Sequence, residues 1–278
     1  MAPRALPIPP KAIYGLVQEL RAAAREDKPL VVAGAKELAA VFRRELTERG
    51  VAEAVRDQGP LEGAAALVYV LVGEADDDDR GVLRAAERAR LPTVCVVIGP
   101  GGARAPDPPY VLATSVVRVP PGRGFPVDEI AQTLARSLGE SGTALAAHLP
   151  TLRRAVCEEL IRRIARQNAI IGAAAFFPGA DLPALTLNQI RLVLRIADAH
   201  GFEIDAQRVP ELLGVIGGGL GLRAVARKAL GAVPVAGWAL KGAIAYAGTR
   251  AVGEAALRTF ESRARVTRIA GGRARFPR

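Results

Sequence analysis

The chain has 278 residues, half of them hydrophobic and only 4% aromatic, which is enough apolar material for a sizeable core and favours two modest domains over one. Its two cysteines, Cys95 and Cys157, lack any metal or redox spacing, which excludes a disulfide scaffold or zinc ribbon and leaves two buried, inert thiols. The formal net charge of +10 is unevenly spread: residues 1–145 hold 18 Lys and Arg against 19 Asp and Glu, whereas residues 146–278 hold 20 against 9.

The N-terminal stretch MAPRALPIPPKAIYGL contains no continuous apolar run of the kind a secretory leader needs, so the expectation is residence on the cytoplasmic side. Residues 1–28 read as an arm and a helix. From Pro29 to about residue 145 short apolar runs alternate with helical patterns. Strands are expected at 29–34 (PLVVAG), 65–73 (AALVYVLVG), 92–99 (PTVCVVIG) and 110–119 (YVLATSVVRV), each apolar on both faces, as parallel strands covered on both sides are. Helices are expected at about 35–49, 80–90 and 126–139. The last opens with Pro126 in its first turn and Asp128 and Glu129 complementing the helix dipole. This alternation predicts a Rossmann-like, P-loop-GTPase-like three-layer domain over 29–145.

Beyond Leu149 the pattern turns helical, and an all-α bundle of about four helices is expected over 146–261. Leu152, Val156, Leu160 and Ile164 share one helix face, with arginines opposite. A later helix stacks Ile190, Val193, Leu194 and Ala197 and ends at Gly201. The final helix carries Ala239, Ala243, Ala247, Ala251 and Ala255 at four-residue spacing, a stripe that would let another helix approach closely. Residues 229–253 are apolar enough to raise the question of a membrane crossing, against which Pro234, Lys241 and Arg250 count. The end, 262–278, has six arginines and no acid and reads as a disordered basic tail. It is either a solubilising end or a contact for anionic headgroups or a nucleic-acid backbone.

The stretch KPLVVAGAKELAAVF resembles the opening of a nucleotide-binding domain. A phosphate-cradling loop requires G-x-x-x-x-G-K-[ST], and counted from Gly34 the last three positions fall on Ala39, Ala40 and Val41. Lys36 arrives directly after the strand and, with Glu37, reads as a solvated first-turn pair. The order of elements, with the 92–99 strand and Ala113–Ser115 in the place of a T-S-A turn, is similar to a small bacterial GTPase domain. Its guanine-reading motif is replaced by Ile98–Gly102 (IGPGG), and the segment before the 65–73 strand lacks D-x-x-G and is too short for two switch segments. The expectation is a pseudo-GTPase domain with no cofactor, no metal and no catalytic residue. A nucleotide or phosphate ligand, if retained, would be held by Gly34, Lys36, Gly99, Gly101 and Ser115. Asp76–Asp79 lies where ligands of open α/β sheets bind; it reads first as a helix cap and second as a Mg²⁺ site.

Other constellations point to structure. His148 and His200 have no triad partner in view, and His200 suits a cation at a helix C-terminus. IGGGLGL (216–222) has no preceding strand, so it is not a dinucleotide fingerprint. Glu158 and Glu159 point about 100° apart on a helix and cannot form a general acid–base pair.

In the C-terminal half, FFPGADLPALTLNQIRLVLRIADAHGFEI and KALGAVPVAGWALKGAIAYAGTRAVGEAALRTFE resemble the YcjF-like, GTPase-associated helical domain of unknown function. The resemblance rests on Pro178, Asp181, Gln189, Ile196, Ala197 and Gly201, then on Pro234, Gly237, Thr249, Gly253 and Phe260, and covers about residues 150–261. It implies a GTPase partner and a place at the inner face of the plasma membrane, peripheral or integral, and carries no chemistry over. The expected function is that of a non-enzymatic adaptor or regulator, with a homodimer possible. Asp181, Gln189, Lys241, Arg263, Arg265 and Arg268 are the candidate interaction residues, and Asp181 is also an N-cap. Two alternatives stand beside it: a retained nucleotide site in the α/β domain, or nucleic-acid binding through the basic half.

Overall fold

Runs of β-branched and aliphatic residues that are apolar on both faces have one low-energy arrangement, the middle layer of a sandwich with helices on either side. A computed structural model of the chain describes residues 10–24, 28–99, 107–174, 182–202 and 238–269. Within it the chain divides into two compact units, residues 25–159 and residues 1–24 with 160–278.

The first unit is α/β with a Rossmann-like topology. Its strands are β1 (Leu30–Gly34), β2 (Val55–Arg56), β3 (Ala66–Val72), β4 (Thr93–Ile98) and β5 (Val116–Val119). All pair in parallel, in the order β2-β1-β3-β4-β5. Its helices are α2 (Lys36–Thr47), α3 (Asp77–Arg88), α4 (Val127–Leu138) and the short α5 (Gly142–His148). The connection from β1 leads to one side and that from β3 to the other, so right-handed crossovers put α2 and α3 on opposite faces. Leu67 and Tyr69 of β3 meet Leu83 and Ala86 of α3. Phe42 of α2 is fully buried and stacks at a tilt on Phe125, ring centroids 5.0 Å apart.

Two boundaries differ from expectation. The strand expected over 110–119 is only Val116–Val119: Tyr110 sits at φ +64°, outside any strand geometry, and Ala113–Ser115 coil into a 3-10 turn. The strand β2 has two residues, too few to leave a periodic signal. It is placed by Val51, whose N–H donates to the His148 carbonyl at 3.0 Å at the end of α5. Arg153 covers the other open carbonyls of α5, donating to Ala146 and Ala147. These ties explain why the α/β unit runs on to Glu159, inside the helix α6 (Pro150–Ala174), and not to residue 145.

The second unit contains α1 (Pro10–Ala24), the rest of α6, α7 (Leu182–Ala199) and α8 (Trp238–Ile269). The N-terminal helix belongs here, and not to a separate arm, because Leu16, Val17 and Leu20 bury against Ile190 and Leu194 of α7. Residues 262–269, expected to open a disordered tail, continue α8; nothing before Gly271 in this stretch breaks a helix. No helix of the described residues is long and apolar enough to cross a membrane. The described part of the 229–253 stretch belongs to α8, which carries Lys241 and Arg250. The IGGGLGL segment lies outside the described residues.

Candidate functional site

In an open parallel sheet the carboxyl ends of the strands form the crevice where ligands bind, at the point where strand order reverses. Here that point lies between β1 and β3. Gly34 closes β1 at φ +103°, a conformation side chains rarely tolerate, and a Cβ there would stand 2.0 Å from the Val70 carbonyl oxygen. The next residue, Ala35, donates its N–H to that same oxygen at 2.8 Å. Lys36 already begins α2, so one residue separates strand from helix. A phosphate cradle needs several consecutive N–H groups turned toward the ligand; here the connection is one residue long and its N–H is bonded to β3.

Residues just beyond β2 also reach this end of the sheet. Gln58, just beyond β2, donates its side-chain amide to the Gly34 carbonyl at 3.0 Å. Its neighbour Asp57 pairs with Arg43 of α2. The carboxyl of Asp57 is held below its ordinary value by the Gln58 N–H it accepts, then by Arg43, with the exposed Lys36 adding its charge. Lys36, the first residue of α2, is exposed.

At the end of β3, Asp76 is the N-cap of α3, and the acidic run is a capping box. Asp79 N–H donates to Asp76 Oδ1 at 2.8 Å and Asp76 N–H donates to Asp79 Oδ2 at 3.0 Å. The remaining oxygen, Asp79 Oδ1, accepts the Tyr69 hydroxyl at 2.7 Å. Of the two readings open for Asp76–Asp79, the cap is the one built. Among the described residues no group of three His, Cys, Asp or Glu side chains can hold a metal ion. Burial, reinforced by Asp79, pushes the Tyr69 phenol upward. Burial also pushes Cys95, beside it in register on β4, up to about 12. Cys95 and Cys157 are both buried, and neither is in a disulfide.

The candidate ligand residues do not converge. Gly99 ends β4 and donates its N–H to the Val119 carbonyl. Ser115 precedes β5, which puts it at the amino edge of an all-parallel sheet, away from Gly34, Lys36 and Gly99. The expectation placed it inside a strand over 110–119; in the structure it ends the 3-10 turn that precedes β5. Gly101 lies outside the described residues.

The helical unit has its polar centre at the crossing of α6, α7 and α8. Thr249 Oγ1 accepts from Asn168 Nδ2 at 2.8 Å and from Gln189 Nε2 at 3.2 Å, while Asn188 Nδ2 donates to Asn168 Oδ1 at 2.8 Å. Asn168 and Thr249 are fully buried and Gln189 nearly so, with its Oε1 left without a partner. Gln189, expected to contact another protein, is thus an interior residue. The crossing is tight because Gly172 faces Ala245 and the Lys241 carbonyl, and Gly242 faces the Ala169 carbonyl. The close-packed seam of α8 is therefore Gly242, Ala245, Thr249, Gly253, Ala256 and Phe260. The alanine stripe assigned that role is exposed from Ala239 through Ala251.

His200 is buried beside Phe260 with its Nδ1 on the Ile196 carbonyl at 2.8 Å, so the ring folds back on the last turn of α7. Lys241 is half-buried on α8, Arg263, Arg265 and Arg268 belong to the same helix, and Asp181 lies outside the described residues. Sequence reading missed Gln58, Tyr69, Asn168 and Asn188. Only Asn168 left a signal, an amide inside an otherwise apolar helix face. No protein-family model matches the chain, and no curated protein or solved structure matches it.

Proposed function

We propose that the chain is a non-enzymatic adaptor or regulator that works beside a GTPase near a membrane, its α/β unit a pseudo-GTPase domain. The observation that carries this reading is the connection from β1 to α2: one residue long, with its N–H on Val70 and its glycine carbonyl on Gln58. The G-K-[ST], D-x-x-G and N-K-x-D motifs are missing at the places where a nucleotide would be read. The sequence resemblance of residues 150–261 to the YcjF-like, GTPase-associated family supplies the partner class. What remains is a rigid scaffold joined to a basic helical unit, a composition suited to binding.

The test is a thermal-shift assay with GTP, GDP and ATP, each with Mg²⁺. A nucleotide at a hundredfold excess over its Kd adds about 2.7 kcal/mol and raises the melting temperature. The expected result is no shift at millimolar nucleotide. A shift specific to one nucleotide would overturn the pseudo-GTPase reading, and Lys36→Ala would then be the variant that locates the site.

A further inference from the structure

The four tyrosines of the chain stand in different settings. Tyr14 lies in α1 and Tyr246 in α8, while Tyr69 is buried in β3 with its hydroxyl on Asp79. Tyr110 alone belongs to neither a helix nor a strand, and it is 41% exposed. It sits in the connection that leads into β5, at φ +64°, a conformation rare for a bulky side chain and kept only where the surroundings fix it. The anchor is its neighbour. Val111 packs into the apolar layer with Tyr69 and Leu83 on one side and with Cys95 and Val97 on the other. The turn that takes Val111 in leaves Tyr110 out.

A single guanidinium meets the phenol oxygen. Arg84 of α3 donates to it twice, from Nε at 3.0 Å and from Nη2 at 2.7 Å, with the guanidinium carbon 5.0 Å from the ring centre. A planar fork of two N–H groups matches two oxygens of a carboxylate or a phosphate; here both converge on one neutral oxygen. Among the described residues no carboxylate pairs with Arg84. The acid nearest to Tyr110 in sequence, Asp107, is taken by Arg118 at 2.6 Å. Arg80 and Arg88 lie one turn either side of Arg84 on the same face of α3, and all three are exposed. Of these flanking arginines, Arg80 pairs with Asp77 at 3.5 Å, an exposed contact that costs little to exchange for another anion.

We propose that Tyr110 is a phosphorylation site, with Arg84 as the receptor for its phosphoryl group. Tyr110 Oη attacks the γ-phosphorus of a nucleoside triphosphate held by a kinase; the bond to the bridging oxygen breaks, the nucleoside diphosphate leaves, and the phenol proton passes to the base of the kinase. The product carries a charge of about −1.5 to −2 and three acceptor oxygens. It gives the Arg84 fork two oxygens in place of one, with Arg80 and Arg88 adding counter-charge, and so clamps the connection before β5 onto α3. The inference goes beyond the function proposed above and does not rest on it, since the nucleotide is bound by the kinase and not by this chain.

Full-length protein is incubated with ATP, Mg²⁺ and a tyrosine kinase of broad specificity, the modified residue is identified by peptide mass spectrometry, and the ³¹P resonance is titrated against pH. The expected result is phosphate on Tyr110, most of the incorporation lost in Tyr110→Phe, and a second phosphate ionisation below its usual value of about 6. Arg84→Gln changes an exposed position, so the melting temperature and the incorporation should hold while that ionisation returns toward about 6. Phosphate found on Tyr14 or Tyr246 with Tyr110 unmodified overturns the proposal. An ionisation at about 6 that Arg84→Gln does not move also overturns it, because the fork then holds no phosphoryl group.

Discussion

The two units solve opposite problems with the polar groups they bury. In the α/β unit the centre of the sheet is aliphatic, and polar side chains gather at strand ends, where Asp76, Asp79, Tyr69 and Gln58 satisfy one another or the backbone. In the helical unit a polar group is central, Asn168, Gln189 and Thr249 lying among buried side chains such as Ile161, Ile164, Leu192 and Phe260. The first arrangement is what water alone selects. The second costs stability, since Gln189 Oε1 stays unpaired. Such a cost is tolerated where helices approach closely, as α6 and α8 do through Gly172 and Gly242.

Substitutions can break each side of this comparison in turn. The largest effect belongs to Gly34→Val. Both the positive φ and the 2.0 Å approach to the Val70 oxygen oppose any side chain, so urea unfolding should show a loss of about 3 kcal/mol or more. A variant within 1 kcal/mol of the parent would mean that β1 does not end as described. In the helical unit Thr249→Val removes the acceptor shared by two buried amides and should cost about 1–3 kcal/mol. Gln189→Met removes one donor to Thr249 together with an unpaired oxygen, so it should cost less than Thr249→Val. If both cost the same, the polar centre is not the network described.

Asp76→Ala should cost about 1 kcal/mol through the lost cap of α3, measured by thermal melting. The smallest effect sharpens the account of the sheet interior. Cys95 ionises near 9 when unperturbed and at about 12 in the fold, so the folded state holds its proton longer than the unfolded one. Below pH 9 that difference contributes nothing to the pH dependence; above it, stability falls as the pH rises toward 12. The upward shift of Tyr69 has the same sign and adds to the decline. A thiol reagent at pH 8 should leave Cys95 unmodified until denaturant is added, and rapid labelling of the native protein would contradict the buried register with Tyr69.

Much of the sheet unit was legible because its signals are local. Strands β1, β3 and β4 and helices α2, α3 and α4 fall where unbroken apolar runs and helical periods place them, since burial on both faces selects the residues directly. The cap at Asp76 was visible for the same reason, as a capping interaction spans three residues. Ser115 was placed inside a strand because the apolar run 110–119 does not show that Tyr110 takes a positive φ and Ala113–Ser115 coil into a 3-10 turn. The helical seam was misread for a subtler reason. Ala239, Ala243, Ala247, Ala251 and Ala255 and the true seam from Gly242 to Phe260 are both small-residue rows at helical spacing, and only the partner helix decides which one is inside.

Sequence alone therefore determined the α/β alternation, the absence of G-K-[ST] at its spacing after Gly34 and the C-terminal excess of positive charge, each written in the residue types or their spacing. Tertiary structure alone decided that Gly34 seals its own loop against Val70, that Pro10–Ala24 belongs with α7, and that Gln189 and Thr249 meet inside the unit while Trp238 and Ile170 stay outside it. Those depend on contacts between residues tens to hundreds of positions apart, whose energies no local pattern encodes.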